Sequence, residues 1–546
     1  MRHAHRHRGG RGAGAFLSDG LQGRLREGVR QGFRDAAGVR PASARTVLHA
    51  AGSPRRESPQ QIGPIVTNPN TAGADFAAYT PLYEEYDYTI DDYDGELPEE
   101  LQGTLYRNGA GKLDAGGQAL GHLFDGDGML SLFSIADGSV HYRNRYVRTK
   151  HYRKSLTSRG APYRALGTMR PGGVLTNALR FPANVANTSV VMHAGKLLAL
   201  WEGGPPTELN PDTLDTVGVH NFGGELKWLG AFSAHPKWDP DTKEMFNFGL
   251  AMVPFPKLIC YRVDRAGKLH RLGQLNLPFA MFNHDMGLTS KHMVFAIPPL
   301  IFPTSKLMGA GFGLLNFIDA IEYDASRGTM IGLVPRDGGK PRVLHTDPLL
   351  HLHLANTYED GTDTIVELVH YDSTWEELNG QLSSLSTDRA SEIGSYGGTL
   401  LRLRITKSDK VIHEPITDVR GEFPSFNIFR TGRPNRYTYL AASSEGSTYP
   451  DTVAKVDNTT GAVVAHQFPY GHQPHEAVFA ARPGTTDEDD GWLLVATQDG
   501  VNNRAALTVL DAKHVDAGPV YTGRLRHHLP LTFHGSFTPR VARPTR

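Results

Sequence analysis

The chain has a single cysteine, Cys260, among 546 residues. One thiol excludes an intramolecular disulfide framework and any zinc or iron–sulfur centre built from cysteine ligands. Net charge is also missing. The 57 Lys and Arg residues are matched by 57 Asp and Glu residues, so no overall field draws the molecule to nucleic acid or to an anionic bilayer. No apolar run reaches the roughly 18 residues that a membrane-crossing helix needs. The nearest approach is the uncharged segment Leu307–Ile318, within FAIPPLIFPTSKLMGAGFGLLNFIDAI. Its length suits a core helix or an interfacial segment. The sequence contains no H-E-x-x-H motif of the zinc hydrolases.

The first 65 residues lack an apolar core as well. They begin MRHAHRHRGGRGAG and are rich in Arg, Gly and Ala and poor in acids. Without an h-region this is no secretory signal. The composition reads as a disordered tail, with a misplaced start or an organelle transit peptide as alternatives. His3, His5 and His7 carry no site. Residues 66–546 are expected to form one domain, in a reducing, cytoplasmic setting.

What is present is a succession of hairpins. LFSIADGSVHYR, LNPDTLDTVG, HPKWDPDTKEMFNFG and YRVDRAGKLHRLG each place turn residues between two strand-like runs. LRITKSDKVIHEPI, AKVDNTTGAVVAHQF and TVLDAKHVDAGPV repeat the pattern. Gly, Asn and Asp at such points supply the positive φ angles that tight hairpins need. Seven such units along the chain suggest radial repetition, a β-propeller of four to eight blades. A large sandwich or several small β domains are the alternatives.

Histidine is abundant, at 25 residues, and four stand in strand-like settings with unusual neighbours. His235 lies in FSAHPK, His284 in FNHDMGLT, His353 in LHLHLANTYEDG and His534 in LTFHGSF. The alternation LHLHL puts Leu350, Leu352 and Leu354 on one strand face and His351 and His353 on the other. Taken singly, each histidine is more often packed or solvated than a ligand. His351, His472, His475, His527 and His528 are competitors that spacing does not exclude. On a propeller axis, however, single residues from distant blades can meet.

At these motifs the sequence resembles the carotenoid cleavage oxygenase family. The likeness runs over roughly residues 75–540 and includes LQGTLYRNGAG, HLFDGDGML, GEFPSFN and HEAVFAARPG as well as the four histidine motifs. GTMRPGGVLTNAL, ANTSVV and LLALWEGGPPTELNPDTL look most similar to the cyanobacterial-type apocarotenoid oxygenases. The resemblance implies an all-β, seven-bladed propeller with a helical and loop cap over an axial site. It implies one Fe(2+) per chain held by His235, His284, His353 and His534, with O2 as co-substrate. Four neutral imidazoles suit Fe(II) and leave two octahedral positions open. Glu202, Glu422 and Glu476 are then expected to hold the far nitrogens of His284, His353 and His534, leaving His235 without such a partner. Trp201, Phe282 and Thr188 are the expected substrate-side residues.

The reaction implied is cleavage of one C=C bond of a carotenoid or apocarotenoid into two carbonyl products, the polyene being held in an apolar tunnel. Residues 307–318 match the family's membrane-docking patch, which implies peripheral contact with a bilayer and no span. Stilbene cleavage within the same family is the main alternative. Leu123 stands before Phe124 where the stilbene-cleaving members are expected to carry a tyrosine, although Lys150 and Lys154 are available. A propeller that only binds a partner is the alternative from another class.

Overall fold

The computed structural model describes residues 78–543 except 228–229, 385–396, 446 and 448. The expected tail, residues 1–65, lies outside the described residues.

Strand pairing within the sheets is antiparallel, and the six larger sheets make up seven radially arranged blades. Every quoted hairpin forms. LFSIADGSVHYR, for instance, joins Asp127–Ala136 to Ser139–Tyr146. Its turn is Asp137–Gly138, with φ of 48° and 71°, the doubly positive combination whose twist matches that of the flanking strands.

Blade one contains Asp87–Thr89, Ser139–Tyr146, Asp127–Ala136, Gly103–Lys112 and, innermost, Thr532–Thr538. Blades two to four are four-stranded, with inner strands Ser189–His193, Lys237–Trp238 and Gly287–Leu288. Blades five and six share one continuous sheet of seven strands. The long strand Val411–Ser425 joins them by pairing first with Gly398–Ile405 and then with Tyr437–Ala442. Blade seven runs inward from Asp92–Gly95 to His472–Ala481. Two blades thus combine early and late segments. The closing pair sets Gly103–Lys112 against Thr532–Thr538, with Asn108 opposite His534.

The core lies between neighbouring blades, sheet face against sheet face. Phe133 and Tyr142 of blade one pack with Trp492 and Leu494 of blade seven. Phe248 and Leu258 of blade three pack with Met293 and Phe295 of blade four. Because each blade is covered on both faces, strands such as Gly103–Lys112 are buried along their whole length. Near the axis the inner strands crowd. A Cβ at Gly287 would run into Thr357 Oγ1, so blades four and five approach there only because residue 287 has no side chain.

Helices are few. Val174–Asn177, Thr304–Gly311 and Trp375–Ser384 lie in connections between strands and form part of a cap.

Candidate metal centre and its cavity

The inner strands deliver the four histidines. His235 precedes Lys237–Trp238 by two residues and His284 precedes Gly287–Leu288 by three. His353 and His534 lie within Leu350–Asp360 and Thr532–Thr538. The four come from blades three, four, five and one, yet one ring nitrogen of each lies within 4.8 Å of all the others. His235 Nε2 is 2.9 Å from His284 Nε2, which is 3.2 Å from His353 Nε2. Two imidazole nitrogens bound at right angles and at about 2.1 Å to one ion would stand about 3.0 Å apart. The spacing and the all-nitrogen donor set therefore fit a first-row divalent metal.

The far nitrogens face carboxylates. His353 Nδ1 is 2.6 Å from Glu422 Oε2, and His534 Nδ1 is 2.8 Å from Glu476 Oε1. His284 Nδ1 stands 3.1 Å from Glu202 Oε1. The hydrogen bonds to Glu422 and Glu476 fix tautomer and ring orientation, whereas the Glu202 contact is close without hydrogen-bond geometry. His235 differs: its Nδ1 is 4.0 Å from Asp285 Oδ1, beyond hydrogen-bond reach. The carboxylates are themselves anchored. Tyr371 donates its hydroxyl to Glu422 Oε1 at 2.5 Å. Arg107 Nη1 and the Gly535 N–H both donate to Glu476 Oε2.

Burial and charge pairing oppose one another in the electrostatics. Burial drives His235 well below the usual imidazole range, and the other three histidines add to this. A neutral ring is the form that can ligate. Burial pushes the Glu476 carboxyl up, but His534 and Arg107 outweigh it and bring it down to about 2. Glu422 is likewise held low against its burial by His353, Tyr371 and the Phe423 N–H.

Irregular strand pairing aims several of these groups. The register slips between His351 and Leu354, between Glu422 and Ser425, between Pro474 and Ala477, and opposite Thr532–His534. Each slip brackets or adjoins a ligand candidate or its carboxylate, as bulges near functional sites do. Phe423 adds a positive φ of 53° in a residue with a full side chain.

The first slip corrects the reading of LHLHL. Leu350 and Leu352 join one apolar cluster, whereas Leu354 joins another, with Val294 and Ala296. The simple alternation therefore breaks inside the motif. His351 turns to the neighbouring blade and bonds Ala296 O through Nε2 at 2.7 Å, while His353 reaches the cluster. The strand is also buried on both faces through Tyr358.

Above the histidines lies a cavity of about 540 Å³ with an almost wholly apolar wall. Thr188, Trp201 and Phe282 all line it, as do His284, His353 and His534. Phe317, Trp375, Phe423 and Phe533 supply further aromatic surface. Lys150 and Lys154 are exposed and no part of the wall. At one side the wall reaches solvent through Phe181 and Val253, which are 67% and 63% exposed.

Segment Leu307–Ile318 borders that opening and is half core, half surface. Phe317 and Ile318 are buried, whereas Met308, Phe312 and Leu314 are at least 50% exposed. Leu179, from the Val174–Asn177 side, donates its N–H to Gly311 O, so the two apolar stretches are joined. Among the described residues no helix is long and apolar enough to cross a membrane.

Sequence reasoning passed over Lys237, Asp285, Arg107 and Tyr371. The first two sit inside the quoted HPK and HDM motifs, and that adjacency was the available signal. Arg107 and Tyr371 reach the site only through folding.

The family model described as retinal pigment epithelial membrane protein (RPE65) matches residues 79–539. Apocarotenoid-15,15'-oxygenase of Synechocystis is 32% identical over 87% of this chain and 99% of that protein. Isoeugenol monooxygenase of Pseudomonas nitroreducens is 28% identical over 89% and 99% of the two chains. Lignostilbene-alpha,beta-dioxygenase isozyme III of Sphingomonas paucimobilis is 27% identical over 86% and 97%. Cobalt-substituted Synechocystis apocarotenoid oxygenase superposes with a TM-score of 0.79 at 31% identity, covering 86% of this chain and 98% of that one.

Proposed function

The chain belongs to the retinal pigment epithelial membrane protein family, that of the carotenoid cleavage oxygenases, and from that membership we propose that it is a non-haem iron(II) dioxygenase of apolar polyenes. The reaction is R–CH=CH–R′ + O2 giving R–CHO and R′–CHO, with a carotenoid or apocarotenoid as substrate. One observation carries the reading: a four-histidine cluster forms part of the wall of a cavity otherwise lined by aromatic and aliphatic side chains.

In this reading His235, His284, His353 and His534 hold the metal, and Glu202, Glu422 and Glu476 hold three of the rings in place. Iron(II) supplies the redox chemistry that brings both atoms of O2 to one C=C bond. The protein's own contribution is position. Trp201, Phe282 and Thr188 stand where they can fix which bond of a rigid polyene lies over the histidines. The apolar wall keeps water away, and Tyr371 is committed to Glu422. No proton donor is needed in a reaction with no net proton transfer. Stilbene cleavage is the weaker fit, because Lys150 and Lys154 lie outside the wall and Leu123 and Phe124 present hydrocarbon there.

The exposed rim points to peripheral docking. Leu175, Leu179, Phe181, Phe255, Phe312 and Leu314 are all at least 50% exposed, an apolar set well suited to dipping below the headgroups of a bilayer that stores the substrate. Residues 66–546 then act as one propeller domain of a cytoplasmic protein held on a membrane surface.

The test is product analysis. Purified protein is loaded with Fe(II) in mild detergent and given an apocarotenal or a hydroxystilbene under 18O2. Two labelled carbonyl fragments from the apocarotenal, absent under nitrogen, are expected. Cleavage of the stilbene alone would overturn the substrate; fragments from neither, with iron bound, would overturn the activity.

A further inference from the structure

The fourth histidine faces a carboxylate that is kept away from it. Asp285 is 1% exposed and is the next residue after His284. Its Oδ1 lies 2.8 Å from Lys237 Nζ and accepts the Met286 N–H at 2.6 Å. Its Oδ2 accepts the Leu354 N–H at 2.9 Å. Lys237 follows His235 by two residues, and Leu354 follows His353. Asp285 therefore links the segments carrying three of the four histidines, by one ion pair and one hydrogen bond, and with Lys237 in place His235 Nδ1 stands 4.0 Å from it.

The charges around the cluster can be counted. Four carboxylates surround the imidazoles: Glu202, Glu422, Glu476 and Asp285. Two of them meet a fixed cation, Glu476 through Arg107 at 2.6 Å and Asp285 through Lys237 at 2.8 Å. Among the described residues, Glu202 and Glu422 have ion-pair contacts only with histidines of the cluster. Four negative and two positive charges leave two negative charges. With neutral imidazoles, a divalent ion makes this largely buried group electroneutral, whereas a trivalent ion leaves it one charge positive. In a low-dielectric interior uncompensated charge is costly.

We infer that Lys237 is a charge-balancing residue that holds the bound metal in the divalent state. This rests on the metal reading proposed above and adds a residue and a role to it. The oxidation concerned is Fe(II) to Fe(III) with loss of one electron, which an electrode accepts in the measurement. Removing the Lys237 charge leaves three negative charges on the protein, which a ferric ion neutralises and a ferrous ion does not. Removing the Asp285 charge leaves one, which shifts the balance the opposite way. Lys237 and Asp285 are no part of the cavity wall; they act on the metal's charge state through the field and through His235.

The experiment is a redox titration of iron-loaded protein by spectroelectrochemistry, with the Co(II)-substituted absorption spectrum as a check on the ligand set. Lys237→Met should favour Fe(III) over Fe(II) by tenfold or more, a fall in midpoint potential of about 59 mV or more for one electron. Asp285→Asn should raise the potential, and the double variant should return toward the wild-type value. Lys237→Arg, which keeps the charge, should stay near wild type. Because the two single variants move in opposite directions, either one that folds is decisive. Unchanged potentials in iron-loaded variants with an unaltered cobalt spectrum overturn the inference alone. A wild-type protein that retains no iron overturns the underlying metal reading instead.

Discussion

Buried histidines outside the cluster make the fold sensitive to mild acid. His122 is fully buried, and its Nδ1 accepts the Phe124 N–H. His475 is 1% exposed beside Arg107. His527 stacks on Tyr86 at 4.0 Å between ring centres. Burial lowers His122 and His527 to about 4 and His475 to about 3. Each stays neutral in the folded chain while the unfolded chain takes up a proton below about 6.5. The unfolded state then binds more protons, so stability falls as pH drops from about 6.5 toward 4. Each group contributes about 1.4 kcal/mol per pH unit within that window.

Two buried carboxyls act the other way. Burial raises Asp125 to about 6 and Glu367 to about 7, so the native state keeps protons that the unfolded chain releases. Those three histidines and the likewise buried His351, also lowered to about 4, against these two carboxyls leave a net loss of roughly 1.5 to 3 kcal/mol per pH unit between about 6.5 and 5.5. That is large against a typical total stability of about 5–15 kcal/mol. The check is urea unfolding of metal-free protein by tryptophan fluorescence at several pH values, compared with His527→Phe. The phenyl ring can keep the stack on Tyr86 but cannot titrate. Its stability curve should be flatter by about 1.4 kcal/mol per unit in the same window. Parallel curves for the two proteins would show that His527 is not held neutral, and the reasoning from burial would fail.

His353→Ala should abolish metal retention and O2-dependent turnover while leaving the β-sheet circular dichroism intact; normal metal content in this variant would remove His353 from the ligand set. Glu422→Gln should weaken metal binding by about 10–100-fold, the usual cost of losing the partner of a ligating imidazole, as read by chelator competition. Phe312→Asp with Leu314→Asp should reduce sedimentation with liposomes and leave cleavage of detergent-solubilised substrate unchanged; undiminished liposome binding would exclude that rim as the docking surface.

The hairpins were legible because a turn is a local event: Asp137–Gly138 or Asn458–Gly461 declares itself by residue type. The propeller architecture also agrees with the family motifs. What stayed hidden is non-local. Nothing in LHLHLANTYEDG announces the slip that separates His351 from His353, because a bulge depends on the partner strand. GEFPSFN contains Glu422, yet the distance to His353 and the hydroxyl of Tyr371 appear only when Val411–Ser425 crosses from blade five to blade six. Leu307–Ile318 read as core or interface because its composition is uniform; the structure divides it residue by residue. The HPK lysine was in plain view, but its partner lies 48 positions on, beside another histidine.

Ring closure has a thermodynamic consequence. Pairing Asn108 with His534 joins residues more than 400 positions apart, and closing so long a loop costs roughly 5 kcal/mol of chain entropy. The same strand, Thr532–Thr538, carries one of the four converging imidazoles. An ion bound there would be a cross-link between the end of that loop and three other blades. It would reward only the closed form, by about 2.7 kcal/mol when present at a hundred times its dissociation constant. The seam between Gly103–Lys112 and Thr532–Thr538 should therefore be the first part of the molecule to exchange its amide hydrogens faster when the ion is chelated, and equal protection with and without metal would show that the ring closes on packing alone.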